Sequence, residues 1–199
     1  MSKLYFKYGA MGSSKTAQAL MCRFNYIQKG FDVFLFKPQA DNRCVEDGIP
    51  MVSSRIGLKS ECIEFSREDD FLSLSRNYDI IRPMTVIIID EAQFLTRQQV
   101  NELKEVSQNL PVLCYGLLTN FKTELFEGSK RLVEIADSMT EIKSVCKCGK
   151  KATVNARIID GKIAAEGDEV SIGGDESYEG MCYSCFLKRK TQEEKLLNK

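Results

Sequence analysis

The sequence predicts an α/β fold: a three-layer domain on a central, mainly parallel sheet, followed by a small loop-rich unit held by a metal. Three observations carry that prediction. Strand-like and helix-like segments alternate as far as about Lys143, the pattern of a sheet whose strands are joined by crossover helices. One strand candidate, "TVIIID", is an unbroken apolar, β-branched run, as expected of a strand covered on both faces. Beyond Lys143 the texture turns to short pieces, frequent glycines and clustered cysteines.

The elements follow in order. "KLYFKYG" reads as the first strand and runs into the loop "GAMGSSKT". Ala17, Leu20, Met21, Phe24 and Ile27 then recur at helical spacing until Gly30 closes the helix as a C′ residue. "DVFLFKP" is a second buried strand, "ECIEF" a short third, and "DDFLSLSRNY" a helix leading into "TVIIID". Thr96 with Gln99 makes a capping box for "RQQVNELKEVSQN", whose Val100, Leu103 and Val106 share one side. "PVLCYGL" is the next strand. After it, Asp160-Gly161 gives a hairpin signal, and "FLKRKTQEEKLLNK" reads as a helix fading into a charged tail.

Composition bounds the partners. A chain of 199 residues, 43% hydrophobic, is long enough to bury a full core. No apolar run approaches the roughly 20 residues that a spanning helix needs, and the chain opens on a charged, aromatic strand instead of a leader. A cytoplasmic location is expected. Lys plus Arg and Asp plus Glu both number 28, so no bulk field favours nucleic acid or an anionic membrane. Histidine is absent, which moves proton-transfer chemistry onto carboxylates.

Eight cysteines divide into two groups. Cys22, Cys44, Cys62 and Cys114 are scattered through apolar surroundings and read as small core or near-surface residues. Cys146, Cys148, Cys182 and Cys185 form two pairs bracketing a segment too short of apolar residues to build its own core. A structural zinc ion on four thiolates would order it, although C-x-C is tighter than the usual C-x-x-C of such sites. Reduced free thiols are the alternative.

The chemistry centres on "GAMGSSKT". Set against G-x-x-x-x-G-K-[ST], it supplies Gly9, Lys15 and Thr16 but has Ser14 where the second glycine belongs. Backbone N–H groups of Gly9 through Thr16, Ala10, Met11, Gly12 and Ser13 included, would face an anion at a helix N-terminus. Lys15 would neutralise charge there and Thr16 would hold Mg²⁺. "VIIIDEAQF" ends an apolar strand in Asp90, the placement of a carboxylate that holds Mg²⁺ beside a phosphate loop. Glu91 follows as the nearest base. Such a glutamate polarises water in an ATPase and takes a hydroxyl proton in a small-molecule kinase, and the motif alone does not choose.

Read together, "GAMGSSKT", "DNR" at Asp41 to Arg43, "SSRIGL" at Ser53 to Leu58, "DEAQF" at Asp90 to Phe94, "LLTNF", "VSIGG" and Tyr178 ahead of Cys182 run through nearly the whole chain. In order and spacing they resemble the type II thymidine kinases. The resemblance implies a phosphate-loop, RecA-like domain over residues 1–143, a zinc-stabilised lasso covering the nucleoside over 144–188, and a tail over 189–199. It implies transfer of the γ-phosphate of ATP to the 5′-hydroxyl of thymidine, with deoxyuridine as a further substrate, in deoxynucleotide salvage. Glu91 would be the general base. Asp41, Asn42, Arg43, Asp90, Ala92 and Gln93 would join the loop around ATP and Mg²⁺. Phe121 would stack on thymine, Met11 would approach its 5-methyl group, and Tyr178 would lie by the sugar. The segment Glu169, Val170, Ser171, Ile172 and Gly173 would meet the edge of the base. A homotetramer and feedback inhibition by dTTP follow from the same resemblance.

Three departures stand out: Ser14 for glycine, Cys44 after Arg43 where an aromatic is usual, and the tighter C-x-C pair. If position 14 needs φ > 0, serine costs about 1–2 kcal/mol there. Two other readings stay open: a nucleotide-binding relative impaired by Ser14, and a nucleic-acid-dependent ATPase. The latter calls for a basic track that this neutral chain does not show.

Overall fold

The structure, a computed structural model, describes residues 3–41, 44–159, 161–164 and 178–197. The expectations for Asn42, Arg43, Asp160 and Glu169 to Gly173 lie outside the described residues.

Six parallel strands form the main sheet: β1 (Leu4–Tyr8), β2 (Asp32–Pro38), β6 (Ile63–Phe65), β7 (Thr85–Ile89), β8 (Val112–Gly116) and β9 (Ser138–Glu141). Their order is β6-β2-β7-β8-β1-β9. Every residue of β7 is buried, because alternate side chains enter opposite faces. Ile87 and Ile89 join a cluster with Phe71, Val100, Leu103 and Leu132. Val86 and Ile88 join one on the other face with Ala19, Leu20 and Tyr115. Helix α1 (Lys15–Ile27) therefore covers one side, and α2 (Phe71–Asn77), α3 (Arg97–Val106) and α4 (Glu127–Ile135) the other. This is the three-layer α/β arrangement the alternation predicts.

Local signals explain where these helices start. Thr96 Oγ1 accepts from the Gln99 N–H at 3.1 Å, and Gln99 Oε1 accepts from the Thr96 N–H at 3.0 Å, completing the capping box. Val100, Leu103 and Val106 are buried as their spacing requires. Truncating Leu103 to alanine costs about 2–5 kcal/mol through lost burial and the cavity left.

Two expectations change in detail. "ECIEF" is split: Lys59–Glu61 (β5) belongs to a separate antiparallel sheet with β3 (Val45–Glu46) and β4 (Ile49–Ser53), while Ile63–Phe65 pairs with β2. On α1, Ala17 and Leu20 are buried, but Met21, Phe24 and Ile27 are exposed. Helical spacing identifies a face; it does not say what covers it.

The β3–β4–β5 sheet is fastened by Lys37 at the end of β2. This lysine is fully buried, and its Nζ donates to the carbonyls of Cys44 at 3.2 Å and Met51 at 3.1 Å, with Glu64 at 3.6 Å. The cation thus exchanges water for carbonyl oxygens and one carboxylate, the condition for burying a charge.

After β9 the chain builds a third, smaller sheet from β10 (Val154–Ile159), β11 (Lys162–Ile163) and β12 (Tyr178–Met181), followed by α5 (Tyr183–Leu197). Gly161 has φ +76° at the hairpin between β10 and β11, where the Asp-Gly signal falls. Cys146, Val154, Met181, Cys182 and Phe186 form its own small core.

Candidate active site

The loop after β1 wraps back onto its own helix. Gly9 must be glycine: a Cβ there would lie 2.2 Å from the Ile142 carbonyl oxygen and 2.5 Å from Ser13 Oγ. Gly12 has φ +76° and Ser14 φ 60°, ψ 25°, so two residues of the loop are left-handed. Position 14 does require φ > 0, and serine meets the requirement under strain. The turn aims the first amides of α1 outward. Lys15 folds over the loop, donating to the carbonyls of Gly9 and Ala10, both at 3.1 Å, and to Ser13 Oγ at 3.3 Å. Burial lowers its pKa, opposed by Glu91 and Asp90.

The end of β7 supplies the acids. Asp90 is buried, and its carboxyl is pushed up to about 7 by burial and by Glu91, against a hydrogen bond from the Thr16 hydroxyl. Thr16 and Asp90 thus share one point beside the loop. A hydroxyl and a carboxylate are hard oxygen donors that fit Mg²⁺.

Glu91 also sits in the left-handed region, at φ 51°, ψ 40°. Its carboxylate accepts from Gln93 Nε2 at 2.6 Å, and Gln93 Oε1 accepts from the Leu117 N–H at 2.9 Å. Ala92 lies in the core and Gln93 is 3% exposed, so both support the acid from behind. Gly116 and Gly128 allow this turn to pack closely, since a Cβ on Gly116 would meet Gln93 Oε1 at 2.8 Å and one on Gly128 the Leu95 carbonyl at 2.5 Å.

A cleft of about 210 Å³ opens between these parts, lined by the loop from Met11 to Ala17, by Glu91, and by Ser53, Ser54, Arg55 and Ile56. Ser53 ends β4, and Ser54, Arg55 and Ile56 stand between β4 and β5. Ser54 closes that turn, its Oγ accepting from the Leu58 N–H at 3.0 Å and its N–H donating to the Leu58 carbonyl at 2.8 Å. The "SSRIGL" string is visible in the sequence, but only the hairpin shows that it faces the phosphate loop. Asp41, which follows β2, does not line this cleft.

On the other side of the loop, Phe121 is 2% exposed. The Arg157 guanidinium lies over its ring at 5.5 Å and Lys122 Nζ at 5.6 Å. Tyr178 is the register partner of Arg157 on the neighbouring strand. Arg157, a cation that sequence reading missed, thus links the Phe121 ring to the strand that begins at Tyr178. Met11 joins this side through Asn155, which accepts its N–H at 2.8 Å.

The four late cysteines converge. Their sulfurs all lie within 4.8 Å of one another, and Cys148 Sγ is 3.6 Å from Cys182 Sγ. A tetrahedron of Zn–S bonds requires sulfurs about 3.8 Å apart. Backbone N–H groups of Cys148 and Cys182 hold the Cys146 thiol down at about 6, while the sulfurs of Cys148, Cys182 and Cys146 push the Cys185 thiol up to about 12. The four remaining cysteines are unpaired by disulfides, and Cys114 is buried with its thiol pushed upward by burial.

Among the described residues no helix is long and apolar enough to cross a membrane. Comparison with known proteins agrees with the geometry. A family model described as thymidine kinase matches residues 2–186. A thymidine kinase of Rhodopirellula baltica is 43% identical over 185 residues, covering 92% of this chain and 86% of the relative. One of Zymomonas mobilis is 43% identical over 192 residues, 95% and 98% of the two chains. One of Legionella pneumophila is 39% identical over 207 residues, 100% and 98%. With the phosphate loop, the paired acids and the cysteine cluster in place, the chain belongs to the thymidine kinase family.

Proposed function

We propose that the protein transfers the γ-phosphate of ATP to the 5′-hydroxyl of thymidine, giving dTMP for deoxynucleotide salvage. The observation that carries this reading is Glu91, held at the rim of the cleft lined by Lys15 and the amides of the phosphate loop. A chain without histidine needs a carboxylate to take the hydroxyl proton, and Glu91 occupies that position.

The division of labour follows. Amides of Gly12, Ser14, Lys15 and Thr16 and the Lys15 ammonium bind the donor phosphates, the Ser13 N–H being taken by the Ala10 carbonyl at 3.2 Å, and Lys15 exchanges its loop carbonyls for phosphate oxygens. Thr16 and Asp90 would hold Mg²⁺, which supplies charge neutralisation at the transferring group. Asp41, with Asn42 and Arg43, would lie near that group. Glu91 accepts the 5′-hydroxyl proton. Phe121 and Tyr178 form the nucleoside side, with Met11 toward the 5-methyl group and Glu169 to Gly173 along the base edge. For thymine to stack on Phe121, Arg157 must share or leave the ring.

The same reading takes residues 1–143 as the catalytic domain and 144–188 as a lasso over the nucleoside, closed at both ends by zinc on Cys146, Cys148, Cys182 and Cys185. It takes Met21, Phe24 and Ile27 of α1, all exposed, as part of a contact between copies in a homotetramer. dTTP serves as the end-product inhibitor, and the cytoplasm is the place of action. The test is phosphorylation of thymidine by the purified protein with Mg²⁺ and ATP. Product dTMP is expected; nucleotide binding with no dTMP would leave only an impaired relative, and ATP turnover driven by DNA without nucleoside would replace the reading altogether.

A further inference from the structure

Asn155, on β10, is 3% exposed and serves two loops at once. Its Oδ1 accepts the Met11 N–H at 2.8 Å, and its Nδ2 donates to the Thr119 carbonyl at 2.7 Å. Met11 belongs to the phosphate loop; Thr119 stands two residues before Phe121. A carboxamide carries an acceptor and donors in one plane, so a single neutral side chain can satisfy an N–H and a carbonyl facing it from different loops. Both bonds are part-buried, which raises the cost of leaving either partner alone.

The other face of Met11 is held by the same small sheet. A Cβ built on Gly180 of β12 would lie 2.5 Å from the Met11 carbonyl oxygen, and Ser144 Oγ stands 3.5 Å from it. Asn155 and Gly180 are themselves register partners. The cysteine-bound sheet therefore grips the backbone of Met11 from both sides while holding the loop that ends in Phe121.

We infer that Asn155 is a positioning residue that couples the donor-phosphate loop to the nucleoside loop, so that each substrate site is set through the small sheet. This rests on the kinase reading of the two loops. With its N–H committed to Asn155, Met11 is removed from the anion-binding amides and fixes where the turn begins. A substrate that fixes one loop against Asn155 presets the loop for the other, which is positive coupling between two binding sites.

The test compares wild type with Asn155→Asp, Asn155→Leu and Gly180→Ala. It measures the KM of each substrate, and the Kd of thymidine with and without Mg²⁺ and a non-hydrolysable ATP analogue. Aspartate keeps an acceptor for Met11 but sets a carboxylate against the Thr119 carbonyl; the thymidine KM rises about tenfold and that of ATP stays within about twofold. Leucine removes both bonds, so both constants rise about tenfold and the nucleotide no longer tightens thymidine. Gly180→Ala presses on Met11 alone and raises the KM of ATP. The inference is overturned if wild type shows no coupling, if the leucine variant retains it, or if both Asn155 variants move the two constants equally. Should those variants not fold, an unchanged ATP KM in Gly180→Ala overturns it. Absence of dTMP from wild type would instead sink the kinase reading, and the binding arm is read without turnover.

Discussion

Gln93, itself buried, supports Glu91, the proposed base: the glutamine donates to the carboxylate at 2.6 Å while its own carbonyl takes the Leu117 N–H at 2.9 Å. Replacing Gln93 with methionine preserves bulk but removes its hydrogen bond to the carboxylate and strands the Leu117 amide. Turnover is expected to fall about tenfold with both KM values near wild type, since misplacing a reacting group acts on the chemical step. Steady-state kinetics check this, and unaltered kcat would remove the positioning role.

Glu91→Gln keeps the shape and removes the basicity. General-base help is worth about 10²–10⁴ in rate, so dTMP formation should drop by at least a hundredfold. A loss smaller than about tenfold would mean that another group takes the proton.

Ser14 sits at φ 60° in the folded chain. Its strain, about 1–2 kcal/mol, is a cost to folding. Ser14→Gly relieves it, offset by about 0.4–1 kcal/mol of added freedom in the unfolded chain. The melting temperature should rise by about 2–4 °C, with the KM of ATP within about twofold of wild type; a large fall in that KM would show that the strain arises on binding.

Metal analysis should find about one zinc ion per chain, the content of one tetrahedral four-ligand site. Removing it with a chelator, or breaking the site with Cys182→Ser, should lower the melting temperature and raise the KM of thymidine. Full activity and stability in a metal-free preparation would refute the role.

Asp137 gives a pH test away from the site. A hydrogen bond from Lys104 at 2.5 Å, then the Leu4 N–H at 2.8 Å, hold its carboxyl below the ordinary value. A depressed carboxylate pKa contributes stability above the unfolded value and loses it as pH falls through the folded one. Asp137→Asn should therefore lower the melting temperature by about 2–4 °C at pH 7. The difference should close as pH falls below about 3–4, and a gap constant with pH would contradict the assignment.

The sheet and its flanking helices were legible because their signals are local: the apolar run of β7, the Thr96–Gln99 box, the glycine after α1. The β3–β4–β5 sheet was not, since its strands are short and mostly exposed, leaving little hydrophobic pattern to read. At the site, Lys15, Thr16, Asp90 and Glu91 stand in motifs whose spacing carries their chemistry. Arg55 needed the hairpin to face the loop. Lys37, Asn155 and Arg157 carry no sequence signal, because their meaning lies in backbone carbonyls and rings far along the chain. The fate of Met21, Phe24 and Ile27 was hidden for the opposite reason: apolar spacing looks the same whether core or another surface covers it.

The strand order has a metric consequence. The phosphate loop leaves β1 and the acids leave β7, and β8 stands between them. Two interstrand steps of about 4.8 Å separate the ends by nearly 10 Å. Side by side, the strands would leave about half that. β8 is thus a spacer that sets the distance between the loop and the acids, a dimension that substitutions at the motifs leave intact and that only a change of topology can alter.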